Sequence, residues 1–194
     1  MTRAGLSSKS LPAILRLAAL FFILAYIAAR AAPRPADFWV GLPLVLAGAG
    51  VRMWAAGYLL KSNELAVRGP YAFTRNPLYL GRLLLFTGFV LMARLPLRLN
   101  LALGLAGYAV FFFYYLPRKE RVEGERLEER HGEAFRRYRA AVPALFPRPI
   151  PYRDPQAAPQ SSGWISARFL RNQEYLMLLL EGGLLVLFGA RALL

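Results

Sequence analysis

Apolar stretches of about 20 residues constrain this chain more than any other feature, because a run of that length can cross the hydrocarbon core of a bilayer as a helix. Five stand out: Leu11 to Ala32, Phe38 to Leu60, Leu78 to Ala93, Leu97 to Leu116, and Gln173 to Leu194. Backbone in lipid must satisfy its own hydrogen bonds, so the predicted fold is all-α, a polytopic membrane helical bundle of about five transmembrane helices. The whole of 1–194 is read as one membrane domain, with spans at about 11–32, 38–60, 78–93, 97–116 and 173–194. With 57% hydrophobic residues and a mean hydropathy of +0.35, little length remains for a separate catalytic domain. Arg3 and Lys9 precede the first stretch as they would in a signal peptide, but the stretch is too long and lacks a small-residue cleavage site, so it reads as a retained helix.

The absence of cysteine excludes disulfides, iron–sulfur clusters and thiolate zinc sites, and the single histidine, His131, excludes a histidine-cluster metal site. No metal site is expected. Chemistry must come from carboxylates, arginines, tyrosines, backbone groups or a borrowed cofactor. The net charge of +14 is explained by membrane topology and anionic lipid, and no nucleic-acid partner is expected. If the N-terminus is cytoplasmic, seventeen of the 25 lysines and arginines fall on the cytoplasmic side and five, Arg30, Arg34, Arg94, Arg98 and Arg191, on the other. The positive-inside rule therefore predicts an integral membrane protein with the N-terminus and the 61–76 and 117–172 connections cytoplasmic.

The segment 117–172 is the one long polar connection. Over Arg118 to Val142 the helical period places Leu127, Ala134, Phe135, Tyr138 and Val142 on one face, together with Glu120, Glu123, Gly124 and His131. Glu125, Glu129 and Glu133 point elsewhere. A cytoplasmic helix continuing from the fourth span is predicted. After it, prolines at 143, 147, 149, 151, 155 and 159 forbid regular helix and predict an extended strap or linker.

The connection before the third span, KSNELAVRGPYAFTRNPLYLG from Lys61 to Gly81, is the most informative stretch. Gly69-Pro70 makes a turn, and Pro77 suits the first position of a helix with Asn76 as its N-cap. Arg75, Asn76 and Tyr79 then gather at a helix N-terminus, an end that favours an anionic ligand group; the same pattern is also that of a capped helix with no ligand. Arg52, Arg82 and Glu181 are charges inside apolar stretches and must face the protein interior or a wet cavity. Arg52 or Arg16 is the expected partner of Glu181, while Arg52 could also meet a cofactor or a lipid phosphate. The last stretch begins with Arg171, Asn172 and Glu174 and carries no motif.

The run GPYAFTRNPLYLG resembles the signature of the isoprenylcysteine carboxyl methyltransferase and phospholipid N-methyltransferase group: GPY, an Arg followed by His or Asn and Pro, then Tyr, and Gly two residues on. A second element of that family is matched by Glu123, Leu127, His131-Gly132, Phe135, Tyr138 and Val142-Pro143, so the resemblance runs from about Gly48 to Pro147. It implies a small helical membrane enzyme that binds S-adenosylmethionine near the cytoplasmic surface. Arg75, Asn76, Pro77, Tyr79, Gly81 and Glu123 would bind the cofactor, with Glu120 and Glu123 the candidate catalytic acids. Chemically, Arg75 and the helix end suit the cofactor's carboxylate, and Glu123 its ammonium or ribose hydroxyls. Gly48 and Gly50 resemble a small-residue pair that the family keeps close to the cofactor, or else serve helix packing.

Three positions depart from the family pattern: Asn76 stands for the more frequent histidine, Gly124 for the second acid of a pair, and His131 for an aromatic residue. Either Glu120 or Glu125 could replace that acid, or the contact is lost; of the two, Glu120 has the better helical phase. The function implied is transfer of a methyl group from S-adenosylmethionine to a lipophilic acceptor (a carboxylate, an amine or a thiol on a small molecule, lipid or prenylated chain) in contact with membrane lipid. A membrane NADPH-dependent reductase of the steroid-reductase type, with a similar Arg-His-Pro motif, is a second reading, although no G-x-G-x-x-G turn is present. A non-catalytic lipid-binding membrane scaffold is a third.

Overall fold

The computed structural model describes residues 22, 25–27, 29–59, 65–153 and 163–194. The first expected span, 11–32, lies mostly outside the described residues. Among the described residues there is no strand, and six α-helices follow one another. They are α1 (Pro35–Tyr58), α2 (Pro77–Ala93), α3 (Leu99–Val110), α4 (Leu116–Ala141), α5 (Ser166–Arg171) and α6 (Glu174–Leu193). Three helical runs are long and apolar enough to cross a membrane: Pro35–Tyr58, Pro96–Ala141 and Glu174–Leu193. Helix α2 is apolar but has 17 residues, about 26 Å at 1.5 Å per residue, somewhat under a typical hydrocarbon core.

Helices α1 and α2 form the tightest pair, and glycines explain why. A Cβ on Gly41 would lie 2.5 Å from the carbonyl oxygen of Gly88, and one on Gly48 would lie 2.7 Å from that of Gly81. The two contacts sit seven residues apart on each antiparallel helix, so only hydrogen at these positions allows the backbones to touch. In lipid, where apolar surface gains nothing by leaving the solvent, such close packing drives helix association. Gly48 thus takes the packing role, whereas a Cβ on Gly50 would meet nothing within 4 Å. Phe38, Val45, Leu85, Met92 and Phe188 fill the core where α6 joins this pair.

Buried charge ties α6 in place. The Arg52 guanidinium reaches the carboxylate of Glu174, and its Nε lies 3.7 Å from Oε1 of Glu181. Arg52 is therefore the partner expected for Glu181, but Glu174, to which the sequence assigned nothing, makes the closer contact. Short helix α5, likewise unforeseen, docks on the end of α1. Trp164 donates from its indole to the Met53 carbonyl at 3.0 Å, and Asn172 donates to the Ala56 carbonyl at 2.9 Å.

The fourth span runs on into the polar helix, as expected, but with two irregularities. Phe111–Tyr115 winds as a π-helix just before Pro117, where the missing proline N–H must be accommodated. At Gly132 the backbone turns to φ 48° and ψ −121°, a conformation open to glycine, so the helix predicted over Arg118–Val142 is interrupted there. The break lets Phe135, Tyr138 and Val142 bury against Val67, with Leu65, Leu127 and Tyr152 around them. Past Val142 the proline-rich segment is a strap up to 153, and its remainder, 154–162, is outside the described residues. The strap hydrogen-bonds to the loop before α2: Arg148 N–H to Phe73 O at 3.0 Å and Tyr152 N–H to Ala72 O at 2.8 Å.

Candidate functional site

The loop before α2, the first turn of α2 and helix α4 meet at one end of the bundle around a cavity of about 480 Å³. Arg75, Asn76, Pro77 and Tyr79 line it from the α2 side, and Lys119, Glu120, Glu123 and Gly124 from α4. Leu127, Phe135 and Tyr138 close it from beyond, and Tyr71 from the GPY turn. Five of the six expected cofactor residues and both candidate acids therefore line one cavity. Gly81 does not: it lies a turn deeper, against Gly48 and the Arg52 side chain, and serves the helix seam.

The lining residues divide by what already holds them. Arg75 donates through Nη1 to the carbonyls of Arg139, at 2.8 Å, and Val142, at 2.7 Å, while its Nη2 pairs with Oε2 of Glu120. Its own N–H donates to Pro143 O at 2.9 Å. Asn76 stands at the N-cap position as expected, yet its side chain makes no capping bond. It donates instead to Oε1 of Glu120 at 2.5 Å and to Ala144 O at 2.8 Å, and accepts from Lys119. Thr74, buried, donates to Leu145 O at 2.9 Å. Arg75, Asn76 and Glu120 thus form a clamp that joins α2, α4 and the strap, with both Glu120 oxygens engaged.

Burial by itself would push the Glu120 carboxyl up, but the hydrogen bonds from Arg75 and Asn76 and the charges of Arg75 and Lys119 outweigh it and hold the group below the usual carboxylate range. Glu120 is therefore a fixed anion. Burial pushes the hydroxyls of Tyr71 and Tyr138 up, so both are neutral phenols, and Tyr138 donates to the Tyr71 carbonyl at 2.8 Å. Glu123 differs from Glu120: its side chain is 47% exposed, and its ion pair is with Lys119, one turn back, at 2.8 Å. Lys119 also lies 5.1 Å from the centre of the Tyr79 ring, a cation–π distance. Tyr79 in turn packs against Tyr115, ring centres 5.5 Å apart and planes inclined at 54°, at the edge of the π-helix.

The geometry, a pocket at the N-terminal end of a short glycine-seamed helix with an acid-bearing helix across from it, joins the two sequence elements in space. The sequence profile described as phospholipid methyltransferase matches residues 37–133, half of the 194-residue chain. The chain belongs to the phospholipid methyltransferase family. The match runs from the start of α1 to the Gly132 break, so it contains Asn76, Glu120 and Glu123 and stops before the strap. No curated protein and no solved structure matches the chain. Membership makes it a membrane methyltransferase by family. Lys119 and Tyr71 are among the lining residues that the sequence reading left out of the site. Both carried a signal: Lys119 stands four residues before Glu123 on the same helix face, and Tyr71 is the tyrosine of the GPY turn.

Proposed function

We propose that the chain transfers a methyl group from S-adenosylmethionine to a lipophilic acceptor drawn from the membrane, with the cofactor in the cavity between α2 and α4. The observation that carries this reading is the donor set of that cavity. Glu123 offers a carboxylate not consumed by the clamp, Lys119 and Arg126 offer cations, and Tyr71, Tyr79, Phe135 and Tyr138 offer aromatic surface. A zwitterionic amino-acid head, a ribose and an adenine need those three kinds of partner, and the volume of about 480 Å³ lies in the range of small-molecule pockets.

Glu123 would accept hydrogen bonds from the ammonium or the ribose hydroxyls, and Lys119 would turn from Glu123 to the carboxylate. Arg75, spent on Glu120 and two backbone carbonyls, holds the pocket's shape, so it is a positioning residue here and not the carboxylate ligand that its sequence position suggests. S-adenosylmethionine, when bound, supplies a methyl group on a sulfonium centre. The chain's own task is to align the acceptor and to exclude water. An acceptor that arrives as carboxylate or thiolate needs no base. An amine acceptor must give up a proton, and of the two acids Glu123 is the one able to take it, since Glu120 is locked as an anion by its partners.

Calorimetric titration of the detergent-purified protein with S-adenosylmethionine and S-adenosylhomocysteine tests the reading. Saturable binding, weakened at least tenfold in Glu123→Ala, is expected. A folded wild type that binds neither compound would overturn it.

A further inference from the structure

A second cavity, of about 640 Å³, lies at the opposite end of α2. Arg30, Asp37, Arg94 and Arg98 line it together with Leu91, Leu97 and other apolar residues. We propose that it binds one anionic phospholipid, its phosphate among Arg30, Arg94 and Arg98 and an acyl chain along Leu91 and Leu101. The site is independent of methyl transfer and shares no residue with the cavity between α2 and α4.

Charge is the first argument. This end of the bundle carries Arg30, Arg34, Arg94, Arg98 and Arg191 against a single acid, Asp37. Asp37 is already shared, accepting from the Arg34 N–H at 3.1 Å and lying 3.3 Å from Nη1 of Arg94. Among the described residues no carboxylate pairs with Arg30 or Arg98, so a phosphate-bearing group is the complement that the pocket lacks.

Backbone is the second. Arg94, Leu97 and Arg98 hold φ of 31°, 53° and 56°, three non-glycine residues in the left-handed region within five positions. Asn100 enforces that path, accepting from the Leu95 N–H at 3.2 Å and donating to the Val90 carbonyl at 3.0 Å. Unfavourable backbone kept in place by a buried side chain is characteristic of sites that must present particular groups.

The third argument separates lipid from a soluble anion. The same strained turn leaves Leu97 95% exposed between two arginines. A leucine presented in that way suits the boundary where headgroups meet acyl chains, and a free phosphate would make no use of it.

Native mass spectrometry of the full chain with dioleoyl phosphatidylglycerol, dioleoyl phosphatidylcholine or inorganic phosphate decides the matter. Wild type should retain one phosphatidylglycerol in preference to phosphatidylcholine. Affinity should fall about fivefold in Arg98→Gln and about thirtyfold in Arg94→Gln/Arg98→Gln, and stay unchanged in Arg121→Gln at the other end. Arg98 is exposed, so its single variant remains informative should the double variant fail to fold. Equal retention by wild type and Arg98→Gln would overturn the proposal. Displacement of the lipid by millimolar inorganic phosphate would overturn its lipid part and assign the site to a soluble anion.

Discussion

Replacing Glu120 and Glu123 separately with alanine distinguishes a carboxylate that holds the site from one that works in it. Glu120 accepts a charged bond from Arg75 and a second bond from Asn76, with side-chain exposures of 21% for Glu120 and 14% for Arg75. Hydrogen bonds to charged groups contribute about 1.5–3 kcal/mol each. Removing one partner of a fully buried pair costs about 3–5 kcal/mol, and the partial exposure here lowers that to about 2–3 kcal/mol. At about 2–4 °C per kcal/mol for a chain of this size, Glu120→Ala should lower the melting temperature by about 5–10 °C. Glu123 is 47% exposed and its helical pair with Lys119 contributes about 0.3–0.5 kcal/mol, so Glu123→Ala should move it by about 1–2 °C. Scanning fluorimetry in detergent reads both, with S-adenosylhomocysteine added in a second series. Ligand protection should survive, in reduced degree, in Glu120→Ala and vanish in Glu123→Ala. The division of labour is refuted if Glu123→Ala is the less stable variant, or if Glu120→Ala melts with the wild type.

Further outcomes follow from the same contacts. Because the folded Glu120 carboxyl is held below its ordinary value, its stabilisation is complete above the unfolded value of about 4.3 and is lost as pH falls through the folded one. The melting-temperature gap between wild type and Glu120→Gln should therefore be constant from about pH 7 to 5 and close below about pH 4. Gly48→Val drives a side chain into Gly81 O and Leu85 and should cost about 1–3 kcal/mol by the same melting assay, whereas Gly50→Ala, facing open space, should be neutral or raise stability by up to about 1 kcal/mol. Arg52→Met leaves Glu174 and Glu181 without their cation and should destabilise by about 3–5 kcal/mol, with partial recovery when Glu174→Gln is added. Tyr138→Phe removes the 2.8 Å bond to the Tyr71 carbonyl and should cost about 1 kcal/mol.

What could be read from the sequence follows from how local each determinant is. The apolar helices were legible because lipid leaves an apolar run of 20 residues no other choice, and α1, α2 and α6 begin within a few residues of the expected positions, whereas short α5 lies outside any such run. The convergence of Asn76, Glu120 and Glu123 on one cavity was legible through two motifs in order. The glycine seam was not, beyond Gly48, because Gly41 and Gly88 acquire meaning only once two helices are paired antiparallel in one register. Glu174 escaped for a similar reason: it looks like a helix-start acid until α6 lies against Arg52.

The contacts of Arg75 show the deeper limit. From residues 61–81 alone, an arginine beside a helix N-terminus is a plausible anion ligand, since nothing nearby in sequence competes for it. The competitors are Arg139 O, Val142 O and Glu120, more than forty positions away, and they reach it because Gly132 breaks α4 and sends the strap back over the loop. Glycine at 124 bears on the same point. It is buried, and a Cβ there would come 3.7 Å from the Arg139 guanidinium, ordinary contact distance, so an acid at 124 would stand beside that cation. With glycine there, the one carboxylate needed for structural clamping comes from Glu120, a turn earlier on the same face, and Glu123 is left to the cavity. The two acids of this face thus differ, Glu120 engaged by Arg75 and Asn76 and Glu123 half-exposed at the cavity, and for that reason the two alanine variants should part company.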